Sequence, residues 1–273
     1  FSSSGSMLEY SFAGSVDRRP SAFEGIYEDG SNDTYACYKS HRIYKGKPKL
    51  NGLPATYVES EDEATTLELV LYDDVRDMEF TIRYTVFEEL DAITRNVEIK
   101  NCSDKKVKLN SALSMSVDFP DMNYDMFYLY GGWARERQFR KNPLFAGTQH
   151  IESLCGISSH SYSPFIGLSR KNATETQGDV YGFSLVYSGN HHCGVSVNPY
   201  GISRVMLGIN PSNFLWNLEA GETFVTPETV MVYSDEGLGK MTRTFHDLYR
   251  NHLIRGQYKD KKRPILINNW EAT

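Results

Sequence analysis

The segment Met78-Glu-Phe-Thr-Ile-Arg-Tyr-Thr-Val-Phe87 decides the fold class of this chain, because its apolar side chains recur at every second position. A period of two places these side chains on one face of a β-strand. Residues 66–72, 92–100 and 107–117 are also strand-like, and polar turns separate them. Since no helical connector lies between these segments, the sequence predicts a meander of antiparallel strands. The residues on the shared face of the first segment are Phe80, Ile82, Tyr84 and Val86.

Strand-like segments continue on both sides of this meander. Glu24–Tyr27 and Thr34–Tyr38 are predicted to pair as a β-hairpin, with Asp29-Gly30 as the turn signal. Residues 45–54 contain two prolines, which cannot donate to a sheet ladder, and this stretch is predicted to be a loop. Further strand-like segments between residues 149 and 233 predict a second sheet or set of sheets.

A single amphipathic helix is predicted near the carboxyl end of the chain. Apolar residues from Leu238 to Leu253 recur at intervals of three and four, Ser234-Asp235 can cap the first turn, and Gly256 can end the helix. The run Ile265–Ile267 is continuously apolar. Such a run is typical of a strand that is buried on both faces, as in a parallel barrel.

Composition excludes several classes of function. A length of 273 residues suits one large all-β unit, and a net charge of −6 argues against nucleic acid or an anionic membrane as partner. No stretch approaches the roughly 20 apolar residues of a membrane span. The first residues lack a basic region followed by an apolar one, so no signal peptide is expected. The chain also lacks an initiator Met, and we interpret it as an excerpt from a longer protein.

The four cysteines are scattered, and none forms a C-x-x-C pair, which argues against a zinc ribbon or a redox motif. Free thiols in a reducing cytoplasm are expected. His191-His192-Cys193 is not predicted to bind a metal, because neighbouring side chains on a strand point to opposite faces. There is no G-x-S-x-G or phosphate-binding loop, and no cofactor is expected. Asp17, beside Arg18 and Arg19, is interpreted as structural.

The stretch Met126–Arg137 carries the strongest signal for binding. An aromatic run stops at Gly131-Gly132, which permits a sharp bend or a close approach by another backbone. Trp133 follows directly, with charged residues behind it and then a predicted linker that contains Pro143. Two interpretations stay open for Trp133. Its indole either fills the core of a sandwich or stacks on the apolar face of a sugar whose hydroxyls the charges contact.

Ten short sequence segments between Leu53 and Thr273 resemble segments of the glycoside hydrolase family 36 α-galactosidases, and they occur in the same order. A weaker match at residues 14–22 extends the resemblance forward. The longest of the ten are Leu53-Pro-Ala-Thr-Tyr57, Tyr130-Gly-Gly-Trp-Ala-Arg-Glu-Arg137, Val232-Tyr-Ser-Asp-Glu-Gly-Leu-Gly239, Phe245-His-Asp-Leu-Tyr249 and Arg263-Pro-Ile-Leu-Ile-Asn-Asn-Trp-Glu-Ala-Thr273.

The resemblance implies a mainly β fold, an antiparallel β-supersandwich of the galactose mutarotase-like kind. It implies a sandwich domain over residues 1–233, a linking helix and connector over 234–262, and the start of a (β/α)8 catalytic barrel over 263–273. The family retains anomeric configuration with two aspartates, consistent with the general two-carboxylate scheme. Both belong to later barrel strands beyond Thr273, so no catalytic residue is expected within this chain.

Two substrate-binding residues can be carried over from the family. Trp270 matches the tryptophan on the first barrel strand that lines the galactose subsite. Trp133 matches the sandwich tryptophan that reaches an active site, in tetrameric members that of a neighbouring subunit. The chain departs from the family at residues 16–19 and 36–38, where Gly-Asp-Phe-Arg and Leu-Arg-Tyr are common. Those departures leave open whether the family's local loop contacts, oligomeric state and acceptor preference carry over to this chain.

The resemblance therefore predicts the non-catalytic sandwich portion of a cytoplasmic, bacterial, retaining α-galactosidase that hydrolyses raffinose-type oligosaccharides. It predicts a galactosyl oligosaccharide as substrate, a homo-oligomer (a tetramer), and no nucleic acid, membrane, metal or cofactor. Two alternatives stay open. One is an α-N-acetylgalactosaminidase or transglycosidase of the same family, and the other is a stand-alone carbohydrate-binding or assembly domain.

Overall fold

The computed structural model describes residues 7–269, which form two packed antiparallel sheets and one α-helix, α1 (Gly237–His252). The strands in the first half are β1 (Phe23–Ile26), β2 (Cys37–Lys45), β3 (Ala64–Asp73), β4 (Met78–Phe87), β5 (Ala92–Asn101), β6 (Val107–Phe119), β7 (Tyr124–Gly132) and β8 (Arg135–Pro143). The others are β9 (Gly147–Glu152), β10 (Tyr162–Arg170), β11 (Val180–Val186), β12 (His191–Val197), β13 (Ser203–Ile209), β14 (Trp216–Leu218), β15 (Thr223–Val225) and β16 (Glu228–Ser234). Two short 3-10 helices lie at Glu61–Glu63 and Pro211–Asn213.

The larger sheet has ten strands in the order β2-β3-β4-β5-β16-β11-β10-β7-β8, with β15 beside β5. The smaller sheet has six strands in the order β1-β6-β13-β12-β9, with β14 beside β6. The predicted strand Met78–Phe87 is confirmed to the residue as β4. Its register with β3 and β5 runs without a bulge, as strict alternation requires. The prediction of an antiparallel, mainly β fold is confirmed.

The core lies between the two sheets and divides into two apolar clusters. One is built around Phe23 and Phe80, whose ring centroids lie 4.7 Å apart in an edge-to-face arrangement. The other is built around Phe183, Val195 and Leu207. Met78, Phe80 and Ile82 of β4 are fully buried, as are Val205 and Leu207 of β13, and this burial stabilises the sandwich. Tyr84 and Val86, which the alternation places on the same face of β4, are half-buried and 41% exposed, respectively.

The helix α1 covers the outer face of the larger sheet. Met241, Phe245 and Leu248 are buried against β11 and β16. Gly182 on β11 allows this contact, since a Cβ there would lie 2.5 Å from the Phe245 ring and 2.7 Å from the Met241 sulfur. The helix thus packs close to the strands, with its polar face toward solvent.

Strand pairing differs from two of the sequence predictions. The predicted hairpin is wrong, because β1 pairs with β6 in the smaller sheet while β2 pairs with β3 in the larger one. The Asp29-Gly30 turn does form, and the Gly30 amide donates to the Tyr27 carbonyl at 2.9 Å. β6 also leaves the predicted meander and pairs with β1 and β13. Strands from both halves of the chain therefore mix in each sheet.

One strand was not predicted, and the helix ends differ from prediction. The linker predicted around Pro143 is instead β8, an exposed edge strand paired with β7. The helix begins after Glu236 rather than Asp235 and ends at His252 rather than Gly256, although the Ser234 hydroxyl accepts from the Glu236 amide at 3.1 Å. Ile265–Ile267 has no strand partner in the described part of the chain, and its residues are 96%, 87% and 86% exposed. A parallel strand requires neighbouring strands, so the barrel assignment of this run stays a prediction.

A buried ion cluster fastens the amino-terminal segment to the smaller sheet. Asp17 and Asp118 share two arginines, Arg19 and Arg204, and every one of these side chains is nearly inaccessible to solvent. The Arg204 Nε–Asp118 Oδ1 and Arg204 Nη2–Asp17 Oδ2 distances are both 2.8 Å. Burial opposes ionisation of Asp17, yet hydrogen bonds from Arg19 and the charges of Arg204 and Arg19 outweigh it and lower its pKa. The structural interpretation of Asp17 fits this arrangement.

We expect Arg204→Met to reduce the free energy of unfolding by about 3–5 kcal/mol, because two buried carboxylates would be left with one cation. Urea denaturation at neutral pH measures the change. Arg243→Met, which removes an exposed arginine on α1, should change the stability by less than about 0.5 kcal/mol. Equal stability of the Arg204 variant and the wild type would contradict a clamping role for the cluster.

A second ion ladder crosses the larger sheet and predicts sensitivity to acid. Glu68 on β3 pairs with Arg42 on β2 and with Arg83 on β4, and the Arg83 Nε–Glu68 Oε1 distance is 2.7 Å. Burial opposes ionisation of Glu68, but the hydrogen bonds from Arg42 and Arg83 outweigh it and lower its pKa from 4.5 to about 2. Because the folded state binds this proton less readily, the stabilisation is complete above pH 4.5 and is lost as the pH falls toward 2.

We therefore expect Glu68→Gln to be less stable than the wild type at neutral pH and to approach the wild type as the pH falls below 4.5. Unfolding by urea across this pH range measures the difference. Glu89→Gln, at an exposed position, should show no such convergence. A Glu68→Gln deficit that is independent of pH would contradict the assignment.

Candidate functional site

The candidate site is the tip of the β7–β8 hairpin, which presents Trp133 to solvent. The indole is 88% exposed, one of the highest values for a large apolar side chain in the described part of the chain. The alternative in which Trp133 fills the sandwich core is therefore wrong. Burial of apolar surface is favourable, so an indole held in water has most of its stacking area available for a ligand or another chain.

The backbone of the tip is tightly folded. Gly131 lies so close to the returning strand that a Cβ there would be 2.5 Å from the Arg135 carbonyl oxygen and 2.8 Å from the Glu136 Cα. Ala134 and Arg137 have φ angles of 60° and 55°, which only a constrained turn imposes on residues other than glycine. The expectation that Gly131 permits a close backbone approach is thus confirmed.

Hydrogen bonds hold the tip in place from two sides. The Ala134 amide donates to Glu136 Oε1 at 3.0 Å, within the turn itself. The Gly131 amide donates to the Ser161 carbonyl at 2.9 Å and so joins the tip to the segment before β10. Because β7 also pairs with β10, the strand that leads into the tip is anchored in the larger sheet. The backbone that carries Trp133 is therefore ordered before a ligand binds, which lowers the entropy cost of ordering the loop.

A groove lies beside the hairpin, between the outer face of the larger sheet and α1. Its volume is about 480 Å³, and Phe127, Phe139, Phe165 and Leu238 give it a mainly apolar lining. Arg137, at the base of the hairpin tip, reaches the rim. Arg137 thus belongs both to the groove and to the strand that leads away from the tip.

Trp270, the second tryptophan predicted to bind substrate, lies outside the described residues. The structure therefore does not relate its position to Trp133. The exposed run Ile265–Ile267 leads toward it along the chain.

The structure also brings together a group that the sequence reasoning missed. The chain neighbours of His192 predict no metal site, but His192 lies beside His150 and Glu152 of the adjacent strand β9. Burial, followed by the neighbouring His150, lowers the pKa of His192 to about 4. His191 and Cys193 point to the buried side, as the alternation of a strand predicts. The three side chains meet through the register of β9 against β12, which the sequence near His192 does not reveal.

The four cysteines are free thiols. Cys193 is buried in the core, and burial raises its pKa. Cys155 is exposed, and its hydrogen bond with the Ser153 side chain lowers its pKa. Among residues 7–269, the structure contains no helix with the length and apolar character needed to cross a membrane.

Comparison with known proteins assigns the family. Residues 1–219 match the sequence model described as the glycosyl hydrolase family 36 N-terminal domain, and residues 223–273 match the one described as melibiase. This chain belongs to glycoside hydrolase family 36. The resemblance of the ten sequence segments to this family is therefore confirmed.

Several α-galactosidases of family 36 are similar in sequence. Alpha-galactosidase AgaA of Geobacillus stearothermophilus is 54% identical over 267 residues, which cover 98% of this chain and 37% of that protein. Alpha-galactosidase 1 of Pediococcus pentosaceus is 43% identical, over 97% of this chain and 36% of that protein. The chain thus spans little more than a third of the length of these relatives.

Solved structures of family 36 share the fold. A crystal structure of an AgaA variant from Geobacillus stearothermophilus in complex with stachyose has a TM-score of 0.95 at 53% identity, covering 97% of this chain and 37% of that one. The α-galactosidase from Lactobacillus brevis has a TM-score of 0.93 at 38% identity, covering 96% of this chain and 35% of that one. The two-sheet architecture with a terminal helix is therefore that of the family 36 amino-terminal region.

The tip geometry predicts different effects for the two adjacent glycines. We expect Gly131→Ala to strain the turn by about 1–2 kcal/mol, because the new Cβ would meet backbone atoms at 2.5 and 2.8 Å. Trypsin should then cleave after Arg135 or Arg137 about tenfold faster, since local opening becomes more frequent. Gly132→Ala is the control, because its Cβ would meet only the Arg135 side chain, at 3.4 Å. Equal cleavage rates in both variants would contradict a rigid tip.

Proposed function

We propose that this chain is the non-catalytic sandwich portion of a retaining α-galactosidase that acts on raffinose-type oligosaccharides. The proposal rests on the family assignment and on relatives named as α-galactosidases. Structures of the Geobacillus stearothermophilus enzyme include complexes with stachyose and raffinose, which carry galactosyl units. In this proposal, two aspartates of a following barrel act as nucleophile and acid/base.

The observation that carries the proposal for this chain is the solvent-exposed indole of Trp133 on a rigid hairpin. A pyranose has one face that is largely C–H, and a flat indole can stack against it. Arg135 and Arg137 follow Trp133 closely in the chain and are exposed, so they can donate hydrogen bonds to sugar hydroxyls. Trp133 is therefore the proposed substrate contact of the sandwich portion, with Trp270 as its proposed counterpart on the first barrel strand.

We further propose that Trp133 contacts substrate bound in another subunit of a homotetramer. An indole that is 88% exposed has most of its surface free for contacts outside its own fold. The hairpin also includes β8, the edge strand of the larger sheet, so among residues 7–269 no further strand covers that side of the hairpin. A neighbouring subunit could thus receive the tip without disturbing the core.

The proposed setting is the cytoplasm of a bacterium. Four free thiols, two of them exposed, suit a reducing compartment better than an oxidising one.

We expect Trp133→Ala in the full-length protein to lower kcat/KM for raffinose by about 5- to 30-fold, which corresponds to about 1–2 kcal/mol of lost stacking. Steady-state kinetics measures the loss, and Trp133→Phe should recover part of it because a flat ring remains. The thermal unfolding temperature should not change, since the indole is 88% exposed.

Tyr35→Ala removes another aromatic side chain, 80% exposed and far from the tip in sequence, and should leave the kinetics unchanged. Wild-type kinetics in Trp133→Ala would remove Trp133 from the proposed site. A full-length protein that binds galactosyl oligosaccharides without hydrolysing them would instead favour a stand-alone binding domain.

A further inference from the structure

A second group of ligand-type side chains lies on the smaller sheet, in a different sheet from the hairpin. His150 and Glu152 belong to the edge strand β9, and His192 belongs to its neighbour β12. One nitrogen or oxygen atom from each residue lies within 4.8 Å of the others. His150 is exposed and the other two side chains are half-buried, so the group opens to solvent.

Strand register explains why these three side chains meet. His150 and Glu152 are two residues apart on β9, so they share a face, and His192 lies directly opposite Glu152. Ile151 and Cys193 alternate with them and point into the core. The three side chains therefore stand together on the outer face, on two strands that hydrogen bonds hold in register.

Gly194 provides the space between the two histidines. It lies opposite His150, and a Cβ at this position would be 2.7 Å from the His150 Cβ and 3.2 Å from His192 Nε2. Because the glycine has no side chain, the two imidazole rings approach with centroids 5.1 Å apart and planes inclined by 30°. A larger residue would separate the two potential nitrogen ligands.

The carboxylate of Glu152 is already oriented toward the histidines. Asn210 Nδ2 donates to Glu152 Oε2 at 2.9 Å, and the other oxygen, Oε1, lies 3.8 Å from His150 Nε2. That separation is too long for a hydrogen bond. Ligand atoms on a tetrahedral zinc ion are separated by about 3.3 Å, so small rotations of the exposed His150 and Glu152 side chains can bring all three to one ion.

We propose that His150, Glu152 and His192 form a binding site for a divalent transition-metal ion, with Zn²⁺ as the best fit. Two imidazoles and one carboxylate are a set of ligands that zinc accepts, and hard cations such as Mg²⁺ favour oxygen instead. Asn210 acts as the outer partner that orients the carboxylate. The fourth coordination position faces solvent, and the bound ion joins the edge strand β9 to β12.

The test is metal binding by the full-length protein after treatment with a chelator and removal of the chelator. Calorimetric titration with Zn²⁺ should give one tight site per chain. Titration with Co²⁺ should give the strong visible absorption of a four-coordinate ion. His150→Gln should weaken Zn²⁺ binding at this site by about 100-fold or more, because even changes in the outer shell typically cost about 10- to 100-fold.

Two further variants keep the test decisive. Glu152→Gln retains a group that can accept from Asn210 but removes the anionic ligand, and it should also weaken binding. His160→Gln is the matched control, since it removes an exposed histidine outside the group and should bind Zn²⁺ as the wild type does. All variants should unfold at the wild-type temperature in the absence of metal.

The proposal is overturned if the wild type gives no tight Zn²⁺ site, or if His150→Gln and Glu152→Gln bind as the wild type does. It is equally overturned if His160→Gln loses as much affinity as His150→Gln, because binding would then reflect scattered surface histidines. Loss in the first two variants with retention in the third supports it, whatever the hydrolytic activity of the protein.

Discussion

Face-to-face burial of two sheets is the constraint on which this structure depends. The inner faces of β4 and β13 carry side chains fully removed from water, including Phe80, Ile82 and Leu207. A register slip of one residue would turn those side chains to the solvent side and expose them. Burial therefore fixes the register of the strands it covers, and each neighbouring strand takes its position from them.

This constraint accounts for both surface groups of interest. β7 is held by β10 on one side and β8 on the other, so the turn that carries Trp133 extends from an anchored ladder. On the smaller sheet, pairing of β12 with β13 and β9 sets His192 opposite Glu152. Rigid strands place side chains more accurately than mobile loops do. Packing in the core thus sets the positions of Trp133 and of the His192–Glu152 pair, although both lie on the surface.

Local pattern was sufficient to predict much of the fold. Met78–Phe87 alternates so regularly that its bounds as a strand were predicted to the residue, and Gly131 was expected to allow a close backbone approach. The sequence segments shared with the family then indicated a binding role for Trp133. The residues alone did not decide whether its indole is buried or exposed. Periodicity reports which face of a strand is buried, and for that reason it succeeded at these positions.

Pairing between distant segments was not predictable in the same way. Strands of both sheets show the same alternation of apolar and polar residues. The sequence of β6 therefore did not reveal that it belongs to the smaller sheet. β8 was overlooked because an edge strand exposed along most of its length has no apolar alternation. The meeting of His192 with His150 depends on the register of β9 against β12, which adjacent residues do not encode.

The same edge strand has a consequence for how copies of the protein can meet. Within residues 7–269, β8 pairs with β7 alone, and such a border can recruit a further strand from another molecule. Four of its nine side chains are cationic and one is anionic, and Pro143 stands at its end. Two copies brought border to border would place these cations against each other, and mutual repulsion would oppose continuous growth of the sheet. Fibrillar polymerisation through this edge is thereby disfavoured.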